Sequence, residues 1–379
     1  MQPALRIVMA AILAILTSAC STLRYYAHVA HGQAQLVTQR KPVDAVIADP
    51  ATDARLAARL RLAREARRFA SARLGLPDNR SYTSYVDLHR PYVVWNVFAA
   101  PRYSVDPILH CFPIAGCVPY RGWFDEVMAK AEAARLEARG DDVYVGGVAA
   151  YSTLGRFADP ILSTMLRWDD DELIGTIFHE LAHQLIYVKD DTAFNESFAN
   201  FVHDEGLREW HAARADDARD ERNRQADDEF ARLALDLRER LRKLYAGTLD
   251  RAAMEAAKQN EIADFRRRYA QWRDAHWPGD HRYDALVAAP INNASLLPFG
   301  LYDEWMPAFA ALFAQAGRDW PAFHARVRRL ARMQKTAREE SLRAAAGAAA
   351  PQIPPSRRPN EKPLASRRPL SAKIGPCAR

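Results

Sequence analysis

Thr176-Ile177-Phe178-His179-Glu180-Leu181-Ala182-His183-Gln184 is the stretch from which the rest of the chain can be read. Its two histidines stand four residues apart. On a helix, such residues lie one turn apart on one face, so both imidazoles can reach a single ion. The flanking residues predict that helix. Asp169, Asp170, Asp171 and Glu172 supply a cap and favourable negative charge at its start. Leu173, Ile174, Ile177, Leu181 and Leu185 supply an apolar face. Glu180 follows His179 directly and points into a neighbouring sector beside the ion. Zinc acidifies the water it binds, and a carboxylate in that place can take up the proton. The same carboxylate can then pass the proton to a leaving amine. The pattern therefore predicts zinc-dependent hydrolysis, with His179 and His183 as ligands and Glu180 as general base.

A catalytic zinc takes three protein ligands and keeps one position open. Asn195-Glu196-Ser197-Phe198-Ala199-Asn200 resembles the Asn-Glu segment of gluzincin peptidases, which implies Glu196 as the third ligand. Twelve residues separate His183 from Glu196, enough for a turn and the start of an antiparallel helix. The spacing is shorter than in thermolysin-like enzymes. His203 and Asp204, about two turns farther on, are rival ligands. Asn200 lies one turn after Glu196, where it can orient a ligand histidine.

Moving outward, the chain is mostly helical with a small sheet. Tyr25 to Thr38 and Ala51 to Leu74 read as helices, the second rich in Ala, Leu and Arg without Gly or Pro. Tyr82 to Leu88 and Tyr92 to Ala99 read as strands broken by Pro91. Phe124 to Arg139 reads as a helix. Val143 to Tyr151 reads as a strand interrupted by glycines; it precedes the metal helix, as the substrate-pairing edge strand does in many zinc peptidases, and that likeness implies pairing with an extended peptide. Helices over about Asp170 to Val188 and Ala193 to Trp210 carry the metal motif. Arg214 to His276 is highly charged, with Gly247 as its one interior glycine, and reads as two long helices in a hairpin. Ile291 to Arg332 reads as a last compact helical piece. The fold class is α+β, predominantly helical: a zincin-like metal helix beside a small sheet, with a long charged helical hairpin over 211–276.

The ends carry different information. Arg6, the apolar run Ile7 to Leu16, and Thr17-Ser18-Ala19-Cys20 together read as a secretory signal over 1–19. The run is too short to span a bilayer as a mature helix. Cys20 after Ser-Ala resembles the bacterial lipobox, although Thr17 stands where that pattern prefers Leu. The resemblance implies acylation of Cys20 and a membrane tether. The absence of Asp after Cys20 fits sorting to the outer membrane, facing the periplasm. Cys111 and Cys117 are six apart; in an oxidising compartment they can pair, and otherwise they are free thiols. Cys377 falls in a basic tail over 333–379, rich in Pro and Ala, that reads as disordered. Much of the net charge of +6 sits in that tail. The chain shows no nucleic-acid-binding signature.

Several segments resemble a family of proteobacterial lipoproteins described as putative aminopeptidases. They are Cys20 to Leu23 with Tyr25-Tyr26, Cys111 to Gly122, Gly146 to Met165, the two metal segments, and Asn292-Asn293-Ala294. The resemblance covers roughly Cys20 to Arg332 and implies one metallopeptidase domain over 20–332 with a peptide substrate. Tyr151 and Tyr302 are candidate donors to the oxyanion. An exopeptidase also needs an acid for the substrate amine, and Asp190, Asp191 and Glu205 are candidates. Two other functions compete: an envelope quality-control endopeptidase or chaperone that grips misfolded partners with the hairpin, and a non-catalytic binding lipoprotein that uses the metal for structure.

Overall fold

The computed structural model describes residues 23–112, 116–214, 220–299 and 305–349. The signal segment and Cys20, Tyr302, and the tail from 350 onward with Cys377 lie outside the described residues.

The chain opens with α1 (23–38). Then follow β1 (Lys41–Pro42), α2 (Val43–Ala48), α3 (Ala54–Ala72), β2 (Ser84–Val86) and β3 (Val94–Pro101). Next come β4 (His110–Phe112), β5 (Gly116–Val118), β6 (Tyr120–Trp123), α4 (Glu126–Glu137), β7 (Asp141–Val148) and β8 (Ile161–Leu162). The metal segments form α5 (Asp170–Leu185) and α6 (Thr192–Ala212). The charged hairpin is α7 (Asp220–Tyr245) and α8 (Arg251–His276), followed by α9 (Asp284–Ala288), α10 (Met306–Gln315), α11 (Trp320–Ala331) and α12 (Lys335–Ala349). The architecture is α+β and predominantly helical, as the sequence predicts. Among the described residues, no helix is long and apolar enough to cross a membrane.

The main sheet is antiparallel in the order β6-β3-β7, with Trp95 opposite Trp123 and Ala99 opposite Val143. One face packs on α4 through Trp95, Val97, Trp123, Ala133 and Leu136. The other carries Phe98, Tyr120 and Tyr144 with Ala294 and Leu297. β7 is an edge strand, as predicted, but part of that edge is already used: Asn292 Nδ2 donates to Val143 O at 2.8 Å. Asn293 donates to Pro101 O and Arg102 O and receives a bond from Tyr245. The Asn-Asn-Ala segment thus satisfies strand carbonyls that would otherwise be unpaired.

A buried ion pair joins Lys258 of α8 to Asp142 of β7. It fastens the hairpin to the sheet, while Phe230, Leu237, Leu241, Phe265 and Tyr269 form the hairpin's own core. β4 and β5 form a short hairpin closed by a Cys111–Cys117 disulfide. One expectation fails. The disordered tail was to begin at 333, but α12 is a helix through residue 349. Its Lys, Arg, Glu and Ala are strong helix formers. It also has something to bury: Leu342 is fully buried on the core, and Arg338 makes a buried ion pair with Asp191 at the start of α6.

α5 and α6 are the centre of the fold. Asp169 caps α5 by accepting from Glu172 N at 2.8 Å. Leu173, Ile174, Ile177, Phe178, Leu181 and Ala182 are buried along it. Phe178 stacks on Phe69 of α3, with ring centres 5.9 Å apart. Behind α6, Phe198 and Phe201 meet Phe309, Phe313 and Phe323 from α10 and α11. Between the two helices, glycines permit close contact. A Cβ on Gly175 would lie 2.3 Å from the His203 ring, and one on Gly206 would lie 2.7 Å from Phe178. Gly175→Ala therefore drives the His203 ring out of its place against α5. A loss of about 1–3 kcal/mol is expected, read as a lower denaturation midpoint. An unchanged midpoint would show that His203 can move aside freely.

Candidate metal centre

The antiparallel register of α5 and α6 assembles the site one turn at a time. Gly175 faces His203. His179 is hydrogen-bonded by Asn200. His183 then comes level with Glu196. The intervening turn is held by Asn195, whose side-chain amide accepts from Val188 N and donates to Val188 O, both at 2.7 Å. Asp191 caps α6 by accepting from Phe194 N at 3.2 Å. At the far end, His211 of α6 meets Asp171 of α5 at 2.9 Å. The helix pair is thus pinned at both ends.

His179, His183 and Glu196 converge. The two Nε2 atoms are 3.0 Å apart, and Glu196 Oε2 lies 3.4 Å from His179 Nε2 and 3.6 Å from His183 Nε2. Ligands at zinc-like bond lengths around a tetrahedral centre sit roughly 3.3 Å from one another. Two imidazole nitrogens and a carboxylate oxygen, all largely shielded from solvent, therefore already have the spacing of three corners of such a centre. They are the one His/Cys/Asp/Glu group of this kind among the described residues. His203 and Asp204 do not belong to it. His203 packs over Gly175 at the other end of the helix pair.

The carboxylate and the imidazoles stabilise one another's charged forms. Burial works to raise the Glu196 carboxyl, but the charge of His183 and the bonds from both histidines hold it far below the usual carboxylate range. Burial works to lower His179; the bond and charge of Glu196, the charge of Glu180 and the Asn200 bond outweigh it and raise its pKa. Glu180 stands half-buried next to these ligands. The residue after His183 is also fixed. Gln184 Nε2 donates to Ser81 Oγ and Asp159 Oδ2, both at 3.3 Å, and its Oε1 accepts from Asn79 at 2.8 Å.

Of the two tyrosines predicted from the sequence, Tyr151 alone lies among the described residues. Tyr151 packs edge-on against Phe124, with ring centres 5.1 Å apart, and burial and then Asp159 raise its pKa. Tyr120, on the β6 edge, was missed. Burial, then the charges of Glu196, Tyr187, Glu180 and Tyr151, raise its hydroxyl well above the ordinary value. Tyr187 follows the extended C-cap of α5, its ring centre 6.1 Å from the His183 imidazole. Tyr82 is buried with a φ of 61°, a left-handed conformation that is rare for a bulky side chain. Burial, then Glu180 and Asp159, hold its hydroxyl protonated. All four hydroxyls are kept as donors.

The three candidate acids for a substrate amine all have structural partners. Asp191 pairs with Arg338, and Glu205 pairs with Arg208 and Arg318. Asp190 Oδ1 accepts from Cys117 N at 2.8 Å, which ties the disulfide hairpin to the α5–α6 turn.

A family model described as "Putative aminopeptidase" matches residues 24–342. No curated protein and no solved structure matches the chain.

Asn200 orients His179 without belonging to the ligand group. Asn200→Ala is expected to weaken divalent-metal affinity by about 10–100-fold while the fold is kept, measured by competition with a chromophoric chelator. An affinity equal to that of the unmodified protein would remove Asn200 from the site.

Proposed function

The chain belongs to the putative aminopeptidase family, and from that premise we propose that it is a zinc metallopeptidase using His179, His183 and Glu196 as ligands and Glu180 as general base. The observation that carries this reading is the convergence of the three ligand atoms, 3.0 to 3.6 Å apart, beside a half-buried glutamate. Two histidines and a carboxylate suit zinc among the available divalent ions. When bound, zinc supplies Lewis acidity and lowers the pKa of water into the neutral range.

The remaining chemistry belongs to the chain. Glu180 takes a proton from the attacking water on its carboxylate and delivers it to the nitrogen of the leaving amine. A tyrosine hydroxyl, held protonated, donates to the oxyanion that develops on the substrate carbonyl. Tyr120 is favoured for this role over Tyr151, because both Glu196 and Glu180 bear on its hydroxyl. Asn200, Gln184 and Asn195 keep the ligands in register.

Removal of amino-terminal residues rests on the family description alone. A second reading, an endopeptidase, is favoured by one observation: Asp190, Asp191 and Glu205 are each engaged elsewhere. In either case we place the protein at the periplasmic face of the envelope, tethered to the outer membrane through an acylated Cys20.

The test compares the unmodified protein with Glu180→Gln on a mixed peptide library, with metal content measured in both. The variant should fold and bind one zinc per chain while hydrolysis falls by about 10²–10⁴-fold. Amino-terminal trimming would select the aminopeptidase, and internal cuts the endopeptidase. A Glu180→Gln variant with full activity would overturn the mechanism. Zinc without hydrolysis in either protein would favour the structural-metal reading.

A further inference from the structure

α1 has two apolar stripes on opposite sides. Tyr25, Val29, Gly32 and Leu36 face the domain. Tyr25 meets Trp123 edge-on at 5.0 Å and donates to Gly122 O at 3.2 Å, and Gly32 lies against the Phe124 ring. The second stripe is Leu23, Tyr26, Ala27, Ala30, Ala34 and Val37, all exposed. These residues recur at intervals of three and four and fall within an arc of roughly 100°, turned away from the docked stripe. Leu23 is 72% exposed, Tyr26 41% and Val37 39%. The outer stripe is about 20 Å long. Arg24, His31 and Gln35 run along one flank of it. The helix thus has a domain on one side and an uncovered apolar strip on the other.

The position of Cys20 identifies what covers that strip. Two residues, Ser21 and Thr22, separate Cys20 from Leu23, and the three steps between them reach at most about 11 Å. An acyl anchor on Cys20 therefore holds the first turn of α1 at the lipid surface. We propose that α1 lies flat on the bilayer, with the Leu23-to-Val37 stripe against lipid and the catalytic domain seated on its opposite face. The proposal rests on acylation of Cys20. Alanines make the stripe shallow and too weak to hold a membrane alone. The anchor supplies membrane residence, and the stripe then selects which face of the domain meets it. Tyr26 suits the interface, because its ring is apolar and its hydroxyl can stay in water.

The test uses the full chain, with Cys377→Ser removing the tail thiol while Cys111 and Cys117 stay paired. A fluorophore is attached at Ala30→Cys on the outer stripe, or at Ala252→Cys, an exposed position on α8. Purified protein is reconstituted into vesicles of phosphatidylethanolamine and phosphatidylglycerol carrying a spin-labelled lipid as quencher. Mass spectrometry of the Cys20 peptide reports acylation separately. The expected result is an acylated Cys20 with several-fold stronger lipid quenching at position 30 than at 252. Acylated protein with equal quenching at both positions would overturn the seat and leave the anchor standing. Shielding at position 30 without lipid quenching, with crosslinking between Ala30→Cys copies, would overturn it in favour of self-association. A Cys20 without acyl chains would overturn the anchor and this proposal together.

Discussion

The structure depends on how closely α5 and α6 approach. Each helix contributes a glycine at the crossing, Gly175 under His203 and Gly206 against Phe178, where a single Cβ would collide. That contact sets the register in which His179 meets Asn200 and His183 meets Glu196. A one-residue slip along α6 would turn Glu196 by about 100° away from the histidines. The turn between the helices is specified as tightly, by Asn195 closing on Val188 and by the buried pair of Asp191 with Arg338. Much of the surrounding fold serves to press these two helices together, with α3 on the outside of α5 and the aromatic cluster of α10 and α11 behind α6.

The electrostatic consequence is a close pairing of a carboxylate with imidazoles. Glu196 is ionised and largely shielded, with two imidazole nitrogens beside it. Three donor atoms are held at close quarters by packing that comes from elsewhere in the chain, so the ordering cost of the site falls mainly on folding and little on metal binding. Tyr82, Tyr120 and Tyr187, whose hydroxyls feel Glu180 or Glu196, stay protonated and add no negative charge. Tyr82 also lies in a strained backbone conformation, which its surroundings must offset. Its amide donates to Asp159 O at 2.6 Å, so the strained loop is tied to the network that fixes Gln184.

The part of this that was legible in the sequence is the part governed by local periodicity. The four-residue step of His179 and His183, the acidic cap at Asp169 and the apolar face through Leu181 define α5 from the sequence alone. The hairpin break near Gly247 and the strand that became β7 were equally readable, whereas its edge position follows from pairing with β3. Long-range packing was not. Tyr120 reaches the site because β6 pairs with β3, and no spacing near residue 120 encodes that. The helicity of α12 was overlooked because its composition resembles the tail that follows. Leu342 and Arg338 show their value only when the partners, the core and Asp191, are in place. The structural roles of Asp191 and Glu205 were hidden for the same reason, since Arg338 and Arg318 lie more than a hundred residues away.

The central claim is that α5 and α6 hold one metal ion through two imidazoles and one carboxylate. X-ray absorption at the zinc edge of the purified, zinc-loaded protein tests it most directly, with Glu196→Ala measured alongside. The account predicts one zinc per chain, bound by two histidine nitrogens and light oxygen donors at about 2.0–2.1 Å, and a changed shell with weaker retention in the variant. A protein that binds no stoichiometric zinc, or whose zinc shell is identical without the Glu196 carboxylate, would contradict it.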